Sequence, residues 1–346
     1  MKKSIFLLKV IAICFAVIWL SVEGWTFKQF LTAPISSLSQ AKVIDIPKGA
    51  SGKSVANLLH KERLIRHPHW LRWYLKIVGK SQKIQTGEFE IQPSWTVEQL
   101  VKQLTEGKNV AYPMTFIAGE TFQQSLQKLA AMPKMKHTNF NQQSLQTELG
   151  VSGALEGMIL PETYLYTAGD TDLSVLKRAH HDLQTLLDKE WQARSSDLPF
   201  KTAYQALILA SIVEKETGYG PERPKIAAVF INRLKKHMRL QSDPTVIYGI
   251  GAKYDGDIRK KDLLTKTPYN TYRINGLPPT PIALASADAI KAVFHPAETK
   301  ALYFVANGDG QHRFSNTLAE HNRAVRAYLI KEKEAGKSAV NPVKSK

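Results

Sequence analysis

The chain has 346 residues, enough for about two domains of ordinary size, and its 43% hydrophobic content excludes wholesale disorder. Its 47 Lys and Arg residues against 30 Asp and Glu give a formal net charge of +17, which suits nucleic acid, an anionic membrane surface or another anionic polymer as partner. The single cysteine, Cys14, excludes an intrachain disulfide and a zinc site built on several thiolates.

The first predicted element is an apolar segment from Ile5 to Val22. These 18 residues would span roughly 27 Å as a helix, close to the thickness of a bilayer core. Lys9, inside the segment, lies near one end, where its amine reaches the interface. A cleaved signal peptide is the alternative, but it requires small residues soon after the apolar segment, and the chain continues Val22-Glu23-Gly24-Trp25. The pattern therefore predicts that residues 1–25 contain an uncleaved transmembrane anchor.

The charges near this segment predict its orientation. Lys2, Lys3 and Lys9 lie on its N-terminal side, so the N-terminus is expected in the cytoplasm and residues 26–346 across the membrane. Residues 1–110 carry 16 Lys and Arg against 7 Asp and Glu, and the remainder carries 31 against 23. This charge is spread along the chain without a basic block, which does not resemble a nucleic-acid footprint and leaves a solvated basic surface as the alternative to a specific partner.

A stalk and a small α+β module follow the anchor. Residues 26–41 are expected to be a polar stalk, and residues 42–110 alternate short strands with amphipathic helices. Ser54 is the expected cap of the first of these helices. The predicted elements are a strand at 43–46, helices at 55–60 and 69–78, a strand at 87–91 and a helix from Thr96 to Gly107.

The sequence pattern over residues 111–333 predicts a larger, mixed α+β unit, followed by a polar tail at 334–346. Residues 155–164 and 241–280 are expected to be mainly loops. The predicted elements are a strand at 114–117, helices at 121–129, 172–194, 202–217, 223–236, 285–294 and 318–333, and a hairpin at 303–306 and 312–314. The expected fold class is therefore α+β with one N-terminal transmembrane helix.

Two glutamates end the apolar helix predicted at 202–217. Large apolar residues precede Glu216 at helical spacing, at Ile208, Leu209, Ile212 and Val213. Glu216 is thus expected on the buried stripe, whereas Glu214 projects to the opposite side and is expected at the surface, free or in a salt bridge. A desolvated carboxyl at a helix C-terminus has a raised pKa, which suits a general acid. The alternative is a glutamate that simply emerges into water at the helix end.

Polar residues in the segment 241–280 form a second set of candidates. Asp243 is expected to cap the short apolar segment that follows it. The cluster Tyr269-Asn270-Thr271-Tyr272 offers hydrogen-bonding and stacking groups of the kind a sugar site needs, although aromatic rings buried in a loop explain it as well. The ten histidines have no paired ligand spacing, and P-loop, dinucleotide and nucleophile-elbow motifs are absent, so no metal and no cofactor are expected.

Several motifs follow one another along the larger unit, at 210–217, 229–234, 238–249, 269–272, 276–279 and 303–305. In this order they resemble those of the YceG-like, membrane-anchored endolytic murein transglycosylases of the MltG family. The resemblance runs from the N-terminal segment to about residue 330. It implies a bitopic protein of the bacterial inner membrane with a LysM-like module and a periplasmic catalytic domain. The family cleaves the MurNAc–GlcNAc β-1,4 bond within nascent glycan strands, leaves 1,6-anhydro-MurNAc ends and helps to terminate strand elongation.

The resemblance also assigns the chemistry. The catalytic glutamate of the family is the second glutamate of the Glu-Lys-Glu motif. That glutamate corresponds to Glu216 here, in agreement with the helical spacing. One carboxyl is sufficient for a lytic transglycosylase because the C6 hydroxyl of the substrate attacks C1, whereas a hydrolase uses two. Glu162 and Asp243 are the candidates for a second acid. The residues expected to line the sugar cleft are Gln241, Asp243, Tyr248, Asn270 and Tyr272.

The expected partners are peptidoglycan glycan strands, the inner membrane and, by family analogy, penicillin-binding proteins, but no nucleic acid. The N-terminal module lacks an evident full carbohydrate-binding signature, so a spacer or a protein-docking module is the alternative to a LysM-like glycan binder. For the whole protein, the alternatives are a non-catalytic glycan-binding scaffold of the wall synthesis machinery and a muramidase-type hydrolase.

Overall fold

The computed structural model describes residues 2–35 and 39–339. The chain divides into two compact units, of which unit 1 comprises Met1–Tyr112 with Leu165–Asp170 and unit 2 comprises Pro113–Tyr164 with Thr171–Lys346. The described residues form helices and three two-stranded sheets, so the α+β class expected from the sequence is confirmed.

Unit 1 opens with helix α1 (Lys2–Thr32), whose segment Phe6–Thr32 is long and apolar enough to cross a membrane. Residues 6–24 are exposed, so their apolar side chains have no protein core to pack against. The helix continues past residue 25, the predicted end of the anchor, into the range expected to be a stalk. There Phe30 and Leu31 pack against the core of unit 1. Residues 36–38 of the predicted stalk lie outside the described residues.

The remainder of unit 1 is built from two strands and three helices, in the order predicted. β1 (Lys42–Ile46) pairs antiparallel with β2 (Gly87–Ile91), with Ile44 opposite Phe89. Between the strands lie α2 (Gly52–Lys61) and α3 (Pro68–Ile77), and α4 (Val97–Glu106) follows β2. One face of each element is buried, and the shared core includes Ile46, Leu59, Leu71, Leu75, Ile91 and Leu100.

Side-chain caps begin two of these helices. Thr96, the predicted first residue of α4, is its cap, because its hydroxyl accepts from the backbone N–H of Gln99 while the Gln99 side chain accepts from the backbone N–H of Thr96. α2 begins earlier than expected, at Gly52, so its cap is Ser51 and the assignment of Ser54 is wrong. The N–H of Ser54 instead donates to the hydroxyl of Ser51 at 3.2 Å.

Unit 2 is mainly helical. Its helices are α5 (Phe122–Ala130), α6 (Gln142–Leu149), α7 (Asp172–Ala193), α8 (Ala203–Glu216), α9 (Arg223–Lys235), α10 (Asp243–Ile250), α11 (Lys260–Leu264), α12 (Ala287–Phe294) and α13 (Leu318–Ala339). β3 (Ala111–Thr115) pairs with β4 (Thr163–Thr167), and β5 (Tyr303–Ala306) forms an antiparallel hairpin with β6 (His312–Ser315). The predicted hairpin and the long helices of this unit are thereby confirmed.

Helix α8 lies at the centre of unit 2. Residues 206–213 are all buried, and α7, α9, α10 and α12 pack around the helix. The core beside it includes Leu207, Ile212, Phe230, Ile290 and Phe294. A helix that is apolar all round belongs in a core, so the carboxylates at its end emerge from a rigid element.

Four elements, β4, α10, α11 and α13, depart from the sequence prediction. The ranges 155–164 and 241–280, expected to be mainly loops, contain the start of β4 and the short helices α10 and α11. Helices of five to eight residues are unstable alone and depend on tertiary packing, so their sequences carry a weak signal. α13 extends through Ala339 into the predicted polar tail, and residues 340–346 lie outside the described residues.

Candidate active site

Glu216 is the last residue of α8, and its side chain reaches a cleft of about 370 Å³ within unit 2. The cleft also exposes polar and aromatic groups from α9, the start of α10, β5 and α13. Its walls include Arg233, Gln241, Asp243, Tyr272, Tyr303 and His321. We call this space the Glu216 cleft. The core helix therefore holds one carboxyl at the edge of a polar cleft.

The surroundings of Glu216 change its acidity. Its pKa is raised from the usual 4.5 to about 7, mainly by burial and also by the negative charge of Asp243. A hydrogen bond from Ser242 and the positive charge of Arg233 act in the opposite direction. Part of the side chain reaches the cleft, but protein surrounds the rest. A carboxyl of this acidity is populated in both protonation states near neutral pH, so it is able to donate and accept a proton.

Ser242 orients the carboxyl of Glu216. Its Oγ donates to Oε1 of Glu216 at 2.5 Å, and its backbone N–H donates to Oγ1 of Thr271 at 2.9 Å. The preceding residue, Gln241, has a φ of 53°, in the left-handed region that side chains rarely adopt. This turn brings the buried Ser242 to the end of α8. Ser242 belongs to the motif 238–249, but the order of residues in that motif does not indicate this contact.

Asp243 and Tyr272 form a hydrogen-bonded pair in the Glu216 cleft. The hydroxyl of Tyr272 donates to Oδ1 of Asp243 at 2.6 Å. Burial, together with this bond to a carboxylate, raises the pKa of Tyr272, so its hydroxyl is neutral near pH 7. The expected capping role of Asp243 is wrong, because Ser242 occupies the N-cap position and Asp243 is the first residue of α10.

Arg233 is a buried cation beside Glu216. Its Nε donates to the carbonyl of Leu302 at 2.6 Å, and Nη1 donates to the carbonyl of Leu240 at 2.7 Å. Its guanidinium lies 5.1 Å from the centroid of the Tyr303 ring, which in turn stacks on His321. Sequence reasoning missed this residue. The available signal was an arginine within the apolar motif 229–234 of α9.

Glu214, expected at the surface, is buried, with only 7% of its side chain exposed. Its Oε1 pairs with Nη2 of Arg223 at 2.9 Å, and its Oε2 accepts from the backbone N–H of Ser286 at 3.1 Å. The salt bridge considered in the sequence analysis is present. The surface prediction fails because neighbouring helices cover α8 on more than one side, whereas the helical-face argument assumed one buried face.

The other predicted sugar-cleft residues lie elsewhere in unit 2. Tyr248 donates to Oε2 of Glu156 at 3.2 Å. The amide of Asn270 is buried and donates to the carbonyls of residues 262, 263 and 265. Glu162 is exposed at the residue before β4. None of these three side chains lines the Glu216 cleft as the described residues define it.

A second perturbed carboxyl, which sequence reasoning did not single out, belongs to Glu156. Its Oε1 accepts from the backbone N–H of Phe122 at 2.8 Å, the first residue of α5. Burial raises the pKa of Glu156 against the effect of its hydrogen bonds. Among the described residues, no cluster of three or more His, Cys, Asp or Glu has the arrangement of a metal site.

Comparisons with known proteins agree on one family. The sequence model of the YceG-like family matches residues 44–327. An endolytic murein transglycosylase from Bacillus subtilis is 31% identical over 338 residues, covering 90% of this chain and 91% of the relative. One from Streptococcus pneumoniae is 27% identical over 352 residues, covering 90% of this chain and 63% of the relative. The crystal structure of a YceG-like protein from Listeria monocytogenes is 29% identical with a TM-score of 0.51, covering 82% of this chain and 99% of that one.

Proposed function

The chain belongs to the YceG-like family and is a peptidoglycan lytic transglycosylase, and from this premise we propose that Glu216 is its catalytic acid and base. The observation that carries the proposal is the carboxyl at the end of α8, whose pKa is raised to about 7 beside an open cleft. The substrate would be the MurNAc–GlcNAc β-1,4 bond within nascent glycan strands.

The first chemical step is acid catalysis. Protonated Glu216 donates its proton to the glycosidic oxygen, the bond from C1 of MurNAc to that oxygen breaks, and the GlcNAc end leaves as an alcohol. Positive charge develops at C1 while Glu216 becomes a carboxylate. The hydroxyl of Ser242, 2.5 Å from Oε1, and the positive charge of Arg233 stabilise that carboxylate.

The second step uses the same carboxylate as a base. Glu216 accepts the proton of the C6 hydroxyl as O6 attacks C1, which closes the 1,6-anhydro ring and regenerates the protonated acid. No water is consumed, so the reaction is a lyase reaction. A pKa near 7 suits both steps, because the group loses and regains one proton in each cycle.

A muramidase-type hydrolase is the competing function, because Asp243 lies in the same cleft. Such an enzyme uses a second carboxylate at roughly 5–9.5 Å from the acid. Oδ1 of Asp243 is already held by the Tyr272 hydroxyl at 2.6 Å, and Glu162 is outside the cleft. These contacts favour the lyase.

Mass spectrometry of digested glycan strands tests the proposal. The full-length enzyme in detergent is expected to release anhydro-ended fragments, and Glu216→Gln is expected to lower the rate by about 10²–10⁴-fold. Glu162→Gln is the matched control, since it neutralises an exposed glutamate outside the cleft. Fragments that have gained water would instead identify a hydrolase, and a fully active Glu216→Gln would remove Glu216 from the chemistry. No cleavage by any variant would favour a glycan-binding scaffold.

We also propose that α1 anchors the enzyme in the bacterial inner membrane with its N-terminus in the cytoplasm and unit 2 in the periplasm. The length and apolar character of Phe6–Thr32 and the lysines near the N-terminus support this arrangement. We further propose that residues 42–110 act as a LysM-like module. In the cell, the enzyme would terminate strand elongation, with penicillin-binding proteins as its partners. Labelling of engineered periplasmic cysteines in intact cells would test the orientation.

A further inference from the structure

Helix α3 carries an apolar stripe that the core of unit 1 does not cover. Leu71 and Leu75 form its buried face. On the opposite face Trp73 and Ile77 are 70% and 69% exposed, although both are large and apolar. They are four residues apart and therefore lie on the same side of the helix. Isolated apolar residues on a surface are ordinary, but an exposed tryptophan aligned with an isoleucine on one helix is a candidate contact surface.

This stripe begins where α1 meets the module. Trp70 precedes Trp73 by three residues and Ile77 by seven, so the three side chains follow one side of α3. The ring of Trp70 contacts the rings of Phe27 and Phe30 of α1, with centroids 5.9 and 5.4 Å apart. The end of α1 therefore covers the first residue of the stripe and leaves the next two exposed.

The contact of Trp70 with Phe27 and Phe30 determines how deep α3 lies relative to the bilayer. Residues 6–25 of α1, at about 1.5 Å per residue, are long enough to cross a hydrocarbon core of roughly 30 Å. Phe27 and Phe30 follow immediately, so in the anchored protein they lie at the level of the lipid headgroups. Trp70, which packs on them, brings α3 to the same level.

The segment of unit 1 that contains α3 is basic, although the negative charge of Glu98 of α4 acts on Tyr74 of α3. Residues 63–86 contain six Lys and Arg and no Asp or Glu. Arg72 and Lys76 are exposed and lie beside the apolar stripe. The acidic residues of adjoining segments include Glu62, paired with Lys42, and Glu106, paired with Lys80. We refer to Arg72, Trp73, Lys76 and Ile77 as the α3 face.

We propose that the α3 face binds the anionic surface of the bilayer that α1 crosses. Trp73 and Ile77 insert at the boundary between headgroups and acyl chains, and Arg72 and Lys76 bind lipid phosphates. Tryptophan is enriched at this depth, and a helix with apolar and basic residues side by side is typical of an interfacial membrane contact. Tryptophan and arginine are also common in protein interfaces, but the position of this face at the level of the lipid headgroups favours the bilayer as its partner. The inference rests on the proposed membrane anchor and adds a second contact to it.

Spin labels on the full chain test the contact. In nanodiscs that contain phosphatidylglycerol, a nitroxide at Ile77→Cys in a Cys14→Ser background should collide several-fold more often with oxygen, relative to a water-soluble nickel complex, than one at Val43→Cys. Val43 is the control because it is 47% exposed in the same unit and pairs across the sheet with Glu90, an acidic neighbour that disfavours anionic lipid. Equal, water-like values at both positions would overturn the proposal.

A separate pair of charge variants tests the role of Arg72 and Lys76. Arg72→Glu with Lys76→Glu should return the label at position 77 to water-like values, whereas Lys53→Glu with Lys61→Glu makes the same charge change on α2 and should leave it in the bilayer. Nanodiscs of phosphatidylcholine alone should weaken the contact. A label equally deep in both lipids and in both charge variants would overturn the role of anionic lipid.

Cys14 separates failure of the anchor from failure of the α3 contact. It is the single cysteine of the chain and lies within the apolar part of α1. A label on native Cys14 should be inaccessible to the nickel complex if α1 crosses the bilayer. A water-accessible label there would overturn the proposed anchor itself. A protected Cys14 with a water-exposed position 77 would overturn only the α3 contact.

Discussion

A single carboxyl with a pKa near 7 has a direct consequence for the pH dependence of the enzyme. The proposed first chemical step requires protonated Glu216, so kcat/KM should be level at low pH and fall as the pH rises through about 7. A pH profile on purified strands measures the midpoint. A profile with no ionisation between pH 6 and about 8 would separate Glu216 from the acid role.

The hydroxyl of Ser242 should set where that midpoint falls. Its bond to Glu216 lowers the pKa of the carboxyl, so Ser242→Ala should shift the alkaline limb upward by roughly one pH unit. The acid would still be present, and the rate should fall less than in Glu216→Gln. Ser211→Ala is a suitable control because Ser211 is buried in α8, the helix of Glu216, and its hydroxyl bonds only to the carbonyl of Ile208 and the N–H of Ile282 among the described residues. A downward shift would contradict the proposed role of Ser242.

Glu216 should also make the protein less stable at alkaline pH. Its folded-state pKa of about 7 exceeds the unfolded value of 4.5, so the folded state binds the proton more tightly. The resulting stabilisation is present below pH 4.5 and is lost as the pH rises through about 7, a cost on the order of 3 kcal/mol. Glu216→Gln should therefore be more stable than wild type at pH 8 and nearly equal at pH 4. Denaturant unfolding at both pH values measures the difference.

At the scale of elements, α8 is held at its end by a buried ion pair. Arg223 of α9 and Glu214 of α8 pair at 2.9 Å, with side chains 14% and 7% exposed. Glu214→Gln removes the charge that compensates Arg223, and removal of one partner of a buried pair costs about 3–5 kcal/mol. We expect the free energy of unfolding of Glu214→Gln to fall by about 3 kcal/mol, the lower end of this range, because the amide of the glutamine still forms hydrogen bonds.

The same variant separates the roles of the two glutamates of the motif. Since Glu214 has no contact with the Glu216 cleft, the pH midpoint of activity should remain near 7 below the unfolding temperature. Thermal denaturation and the pH profile of Glu214→Gln measure the two effects. An unchanged melting temperature with lost activity would move Glu214 into the chemistry.

Local signals predicted most of the elements and the buried position of Glu216 at the end of α8. Capping residues such as Thr96 and Thr121 mark helix starts because their hydroxyls satisfy the first backbone N–H groups. The apolar spacing before Glu216 reflects a buried helix. Sequence reasoning missed α10 because its eight residues fold only against α8 and the neighbouring loops.

The groups that tune Glu216 depend on contacts that are distant in sequence. Ser242 reaches the carboxyl across 26 positions, after a residue with positive φ, and Arg233 is fixed by carbonyls on other segments. Helical spacing contains no information on such contacts. For the same reason it misjudged Glu214, since the number of neighbours around α8 is a property of the whole unit.

For the molecule as a whole, the charge of +17 and the proposed anchor act together. In the proposed arrangement, an anchored enzyme would meet nascent glycan strands at the membrane surface, where its basic residues would attract anionic lipid. The proposed anchor would act by raising the effective concentration of the enzyme at that surface.

Removal of residues 1–25 should therefore separate chemistry from targeting. The remaining chain keeps Phe27 and Phe30 for packing on Trp70, so unit 1 retains that contact, and the Glu216 cleft is unchanged. We expect wild-type rates on purified strands in solution but a loss of one or two orders of magnitude on strands elongating from lipid in vesicles. A control in which an unrelated transmembrane helix replaces residues 1–25 should restore the vesicle activity, because the anchor acts through concentration. Equal activity of the truncated and full-length enzymes on vesicle-bound strands would show that the membrane contributes nothing to the reaction.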